Sequence, residues 1–72
     1  GKSISVYPNP AKNTLKIDGA DSFTFQIFEL TGKTVLSGYG QKQIDISNLP
    51  SGVYHLSLVL NETVYNTQFV KN

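Results

Sequence analysis

The stretch Leu49-Pro50-Ser51-Gly52-Val53-Tyr54-His55-Leu56-Ser57-Leu58-Val59-Leu60 decides the fold class of this chain. Tyr54, Leu56, Leu58 and Leu60 recur at every second position, the period of a strand with one buried face. A tyrosine two residues after a glycine, where a long strand begins, matches the tyrosine corner of Greek-key sandwiches. In that corner the ring is buried and its hydroxyl bonds to backbone a few residues upstream, which satisfies an otherwise costly polar group. Leu49, Gly52 and Tyr54 are therefore assigned a structural role.

Working outward, Asn61-Glu62 reads as a two-residue hairpin turn. Residues 64–70 read as a last strand, with apolar Val64, Tyr65, Phe69 and Val70 on both faces and its inward side undecided. Upstream, residues 3–7, 14–18 and 43–46 alternate in the same way. Phe23, Phe25 and Ile27 share one face of another strand, with Phe28 and Leu30 expected on the other. The run Leu30-Thr31-Gly32-Lys33 predicts a hairpin turn with Gly32 at positive φ, followed by a strand over residues 34–37. Gly38-Tyr39-Gly40 reads as a glycine-flanked tip. Pro8 and Pro10 each lack a backbone donor and stop the first strand, forming a rigid corner around Asn9. About seven short strands with turn signals every 8 to 12 residues, and no helical period, predict an all-β fold. The specific expectation is a small immunoglobulin-like antiparallel sandwich of Greek-key type.

Composition narrows the function. Seventy-two residues make one domain. There is no cysteine, so neither disulfides nor thiolate metal sites are available, and folding rests on burial and strand pairing. Six lysines against five acids, with no arginine, form no basic stripe, which argues against nucleic-acid binding. No apolar run approaches the roughly 20 residues of a membrane span. The chain opens Gly1-Lys2 directly before a strand-like segment, without a basic-then-apolar export signal. It reads as a piece of something longer, with Gly1 a cloning or linker remnant.

No catalytic constellation is visible. His55 is the one histidine and points away from the Tyr54 face. Asp18 and Asp21 flank a turn without the dense oxygen spacing of a calcium loop. No serine sits in a nucleophile elbow, and Asp45 and Glu62 form no evident carboxylate pair. Asn61-Glu62-Thr63 matches a glycosylation acceptor but is better explained as a turn. A non-enzymatic domain without cofactor or metal is expected.

In order, the motifs resemble one family, the type A C-terminal sorting domain of the Bacteroidota type IX secretion system. The matching elements are Val6-Tyr7-Pro8-Asn9-Pro10 with the apolar pair Leu15 and Ile17, then the strand from Ile27 into Leu30-Thr31-Gly32-Lys33. Next come Ile44 to Ser47, the Leu49-to-Tyr54 element and the terminal Phe69-Val70-Lys71-Asn72. Many members carry more lysine in the last strand than the single Lys71 here. The resemblance implies a secretion signal at the C-terminus of a cargo protein that crosses the inner membrane by a separate signal. It implies recognition by the outer-membrane translocon from the periplasm, removal by a surface sortase, and delivery to the cell surface or medium. The expected recognition residues are Phe69, Val70, Lys71 and Asn72, with Pro8, Asn9 and Pro10 contributing. Leu30, Gly32, Lys33, Leu49, Gly52 and Tyr54 are expected to serve the fold. The rival is an immunoglobulin-like or fibronectin-like accessory module of a secreted enzyme that stabilises its neighbour or grips carbohydrate, with Phe28, Tyr39 and Tyr65 as the sugar-stacking face. Open sheet edges also allow dimerisation by edge pairing.

Overall fold

A computed structural model describes residues 3–72; Gly1, expected to be a cloning or linker remnant, lies outside them. The strands are β1 (Ser5–Tyr7), β2 (Thr14–Asp18), β3 (Phe23–Glu29), β4 (Thr34–Gly40), β5 (Gln43–Asp45), β6 (Gly52–Leu60) and β7 (Thr63–Lys71). They form two antiparallel sheets, a small one of order β1-β2-β5 and a large one of order β4-β3-β6-β7. The second strand pairs with the fifth and the third with the sixth, as in immunoglobulin-like sandwiches. Here β4 stays with β3 on the large sheet rather than crossing to β5.

The core is the meeting of the two inner faces. Leu15, Ile17 and Ile44 of the small sheet oppose Phe23, Phe25, Ile27, Leu56, Leu58 and Phe69 of the large one, all buried. Leu15, Ile27, Ile46, Leu56, Leu58 and Phe69 are essentially without solvent contact. Each aliphatic or aromatic side chain so buried stabilises the fold by about 1.5–3 kcal/mol. In a chain without disulfides these contacts, with the ladders, carry the structure.

Turn chemistry follows the sequence closely. Asn61 and Glu62 adopt φ of 49° and 64°, the left-handed pair that a two-residue hairpin between twisted strands requires. Gly32 adopts φ of 95°, and its amide donates to the Glu29 carbonyl at 2.8 Å. Both prolines of the first corner follow cis peptide bonds, Tyr7-Pro8 and Asn9-Pro10.

Three expectations are corrected. Gly38-Tyr39-Gly40 is not a loop tip but the end of β4, with Gly40 opposite Phe23 and Gly38 opposite Phe25. The glycines leave room for those rings: a Cβ on Gly40 would stand 2.6 Å from the Phe23 ring. Leu30 does not continue the outer face of β3, because the strand ends at Glu29 and Leu30 sits exposed in the turn. The inward side of β7 is resolved by its register, Tyr54 opposite Phe69 and Leu58 opposite Tyr65, so Val64 and Val70 face outward. The first strand is shorter than expected, beginning at Ser5 rather than Ser3.

Candidate recognition site

The two segments expected to contribute to recognition lie together. β7 is an edge strand, so one row of its backbone groups faces away from β6. At its C-terminal end those groups are taken by residues of the first corner. The amide of Val70 donates to the Asn9 side-chain oxygen at 2.9 Å. The amide of Ala11 donates to the Val70 carbonyl at 2.8 Å, and the amide of Asn72 to the Ala11 carbonyl at 2.8 Å. Ala11 and Lys71 thus form a short parallel bridge, and Ala11 itself is buried. Asn9, held between two prolines that cannot donate, uses its carboxamide where a backbone group would otherwise stand.

This arrangement divides the terminal residues by face. Phe69 is buried and stacks on Tyr54, ring centroids 5.5 Å apart at 23°. Lys71 is also buried, at 8% exposure, and its Nζ donates to the Asn72 carbonyl oxygen at 3.0 Å. Snorkelling of this kind lets an aliphatic stem cover the core while the charged head reaches a polar partner at the rim. Val70 and Asn72 are exposed, as are Pro8, Asn9 and Pro10. Within the folded domain the accessible side chains of the site are therefore those of the corner with Val70 and Asn72.

The motif residues further along serve this geometry at a distance. The Tyr54 hydroxyl donates to the Pro50 carbonyl at 2.6 Å, four residues upstream, and pins the loop between β5 and β6. Leu49 is buried beneath that loop, and its amide donates to the Ile46 carbonyl at 3.0 Å. Tyr54 in turn supports Phe69, and so the strand end that the corner holds. Leu30 and Lys33 are exposed on the β3–β4 turn, far along the chain from this junction.

Other candidates stay apart. His55 is exposed on the outer face of the large sheet. Among the described residues no cluster of three metal-ligating side chains occurs. Asp45 accepts a 2.9 Å hydrogen bond from the Ser47 amide, which closes the end of β5, and the Ser47 hydroxyl together with that amide holds its carboxyl below the usual range. The aromatics of the carbohydrate reading do not share a face. Tyr65 packs against the core, while Tyr39 and Phe28 lie on opposite ends of the outer surface, aligned with Thr24 and with His55.

The sequence reading missed Ala11 and the side chains beside the corner. Tyr7, Pro8, Pro10, Lys12, Lys16 and Asn72 border an open groove of about 660 Å³. Tyr7 aligns with Lys16 across β1 and β2, and that pairing becomes visible only once the register is known.

The first corner and the last residues of the chain thus form one hydrogen-bonded junction. The family model described as the secretion system C-terminal sorting domain matches residues 5–72, and the chain belongs to that family. It is a type IX secretion C-terminal sorting signal, of a family that is typically non-catalytic and that implies export of an attached cargo protein. No curated protein matches the chain.

Proposed function

We propose that the outer-membrane translocon reads the joined surface of the Pro8-Asn9-Pro10 corner and the terminal segment Phe69 to Asn72. In this reading the domain folds in the periplasm, engages the translocon, and is removed by a surface sortase once the cargo has crossed. The observation that carries the proposal is the set of three hydrogen bonds joining Asn9 and Ala11 to Val70 and Asn72. They make one continuous, rigid surface from two segments at opposite ends of the chain. A surface already ordered before binding loses little conformational freedom on docking. Phe69 and Lys71 act by holding that surface in shape, and Val70, Asn72 and the prolines by contact.

The test is an export assay in a Bacteroidota host, with residues 1–72 behind a fluorescent protein that carries its own inner-membrane signal. Translocon-dependent appearance of fluorescence on the surface or in the medium is expected. Val70→Asp is expected to block export without unfolding the domain, because Val70 faces outward. Retention of the unaltered, folded fusion in the periplasm of both strains would refute the sorting role. Normal export of Val70→Asp together with a deletion of Lys71 and Asn72, both folded, would refute the site.

A further inference from the structure

We propose that Gly19 closes the first segment of the domain, Ser3 to Tyr7, to proteases, so that cargo and sorting domain are parted only upstream of Ser3. The inference rests on the reading of the domain as a removable sorting signal, and adds the device that sets where removal occurs.

β1 is poorly placed to hold itself. It has three residues, lies at the free edge of the small sheet, and pairs only with β2, from Ser5 opposite Asp18 to Tyr7 opposite Lys16. Ser5 and Tyr7 are exposed, and Ile4 and Val6 are only partly buried against the core. Proteases act on locally opened chain, and short edge elements with few buried contacts open most readily. An attached cargo precedes this segment, so a cut inside it severs cargo from sorting domain.

The downstream end of the segment runs into the corner that Asn9 and Ala11 tie to β7. At the upstream end the holding contact comes from the turn after β2. Gly19 has φ of 96°, and its backbone lies directly against that of Ser3 and Ile4. A Cβ on Gly19 would collide with the Ser3 carbonyl oxygen and stand 3.3 Å from Ile4 Cα. Both neighbours are backbone atoms, so no side-chain rotation relieves the collision. Glycine supplies both the φ and the close approach. The contact falls just beyond the last β1–β2 pair, Ser5 with Asp18, and so carries the grip on the chain past the end of the ladder.

Gly32 provides a matched control. Its φ is 95°, yet a Cβ there meets nothing within 4 Å. Gly19→Ala and Gly32→Ala therefore impose the same kind of backbone strain, and only the first pushes the entry segment away.

The experiment is limited proteolysis of residues 1–72 fused through a linker behind a fluorescent protein, using a protease that cuts before aliphatic residues. Fragment masses map the cuts. In the unaltered fusion cuts are expected in the inserted linker and none between Ser3 and Tyr7. In Gly19→Ala, cutting before Ile4 or Val6 is expected to be about tenfold or more faster than in Gly32→Ala, equivalent to about 1.4 kcal/mol in the opening equilibrium. If Gly19→Ala does not fold, Gly19→Asn against Gly32→Asn is the milder pair, because asparagine tolerates the φ and keeps the Cβ. Cutting before Ile4 or Val6 in the unaltered folded domain, or equal rates there for the Gly19 and Gly32 variants, would overturn the proposal.

In the export assay the unaltered cargo is expected to end upstream of Ser3, and Gly19→Ala to add products that end between Ser3 and Tyr7. Removal of the unaltered domain by a cut inside that segment would overturn the role of Gly19 and leave the sorting reading standing. Absence of any sortase-dependent removal would refute the removal reading, and the proteolysis would still decide the contact.

Discussion

The side-chain oxygen of Asn9 accepts a 2.9 Å hydrogen bond from the amide of Val70, 61 residues further along the chain. It stands on the open edge of β7, beside the point where Ala11 pairs with the same strand, and so continues the sheet by one side chain and one residue of backbone. An edge that would otherwise be a template for further pairing is covered at its C-terminal end by the chain itself. The terminal residues are thus held on one side by β6 of their own hairpin and on the other by Asn9 and Ala11 from far upstream in sequence.

Asn9→Ala removes an acceptor from an amide at the surface, where water replaces it in part. A loss of about 0.5–1.5 kcal/mol is expected, read as a lowered midpoint in urea with an unchanged slope. Asn9→Asp keeps the acceptor and is expected to retain most of that stability. Equal losses for the two variants would show that the carboxamide oxygen is not what holds Val70.

Tyr54→Phe keeps the ring stacked on Phe69 and removes only the 2.6 Å bond to the Pro50 carbonyl. With that carbonyl losing its partner, a destabilisation of about 1–3 kcal/mol is expected. Tyr54→Ala also removes the ring and is expected to cost about 3–5 kcal/mol. Thermal unfolding of the two variants separates hydroxyl from ring; an unshifted melting temperature for Tyr54→Phe would rule out the corner as a stabilising device.

The sandwich was legible because its strands bury one face each, so period-two alternation marks residues such as Leu56 and Leu58 directly. Asn61-Glu62 and Gly32 were legible because turn geometry constrains residue type locally. Gly38 and Gly40 have the local signature of a loop tip because glycine usually punctuates strands. Their actual role, accommodating Phe25 and Phe23 across the ladder, depends on cross-strand register that no local pattern carries. The same limit hid the junction of Asn9 and Ala11 with Val70. Burial of Lys71 was also hidden, since β7 has apolar residues on both sides and only its pairing with β6 fixes which face is inward.

Glycine substitutions test that register. A Cβ on Gly40 would fall 2.6 Å from the Phe23 ring, itself buried, so Gly40→Ala forces a core shift. A loss of about 1–3 kcal/mol is expected from overpacking. On Gly38 the nearest atoms of Phe25 lie at 3.5 Å, ordinary contact, and Gly38→Ala is expected to be near neutral. Gly32→Ala meets no neighbour within 4 Å, and its cost of about 1–2 kcal/mol comes from the φ of 95° alone. Gly32→Asn, which tolerates that region, is expected to recover part of the loss. Denaturant midpoints rank the three; Gly38→Ala as damaging as Gly40→Ala would contradict the pairing of β3 with β4.

Asp45 gives the domain an acid-sensitive contact. Its carboxylate accepts from Ser47, and these hydrogen bonds lower its pKa below the ordinary 3.8. A carboxyl with a depressed folded-state pKa stabilises the fold above its unfolded pKa, and the contribution is lost as pH falls through the folded value. Asp45→Asn removes that titration while leaving a weaker acceptor. The difference in stability between the unaltered chain and Asp45→Asn is therefore expected to be constant near neutrality and to shrink as pH drops below about 4. Urea unfolding at pH 7, 5 and 3 measures it. A difference that persists unchanged at pH 3 would mean that the charged carboxylate is not what closes the end of β5.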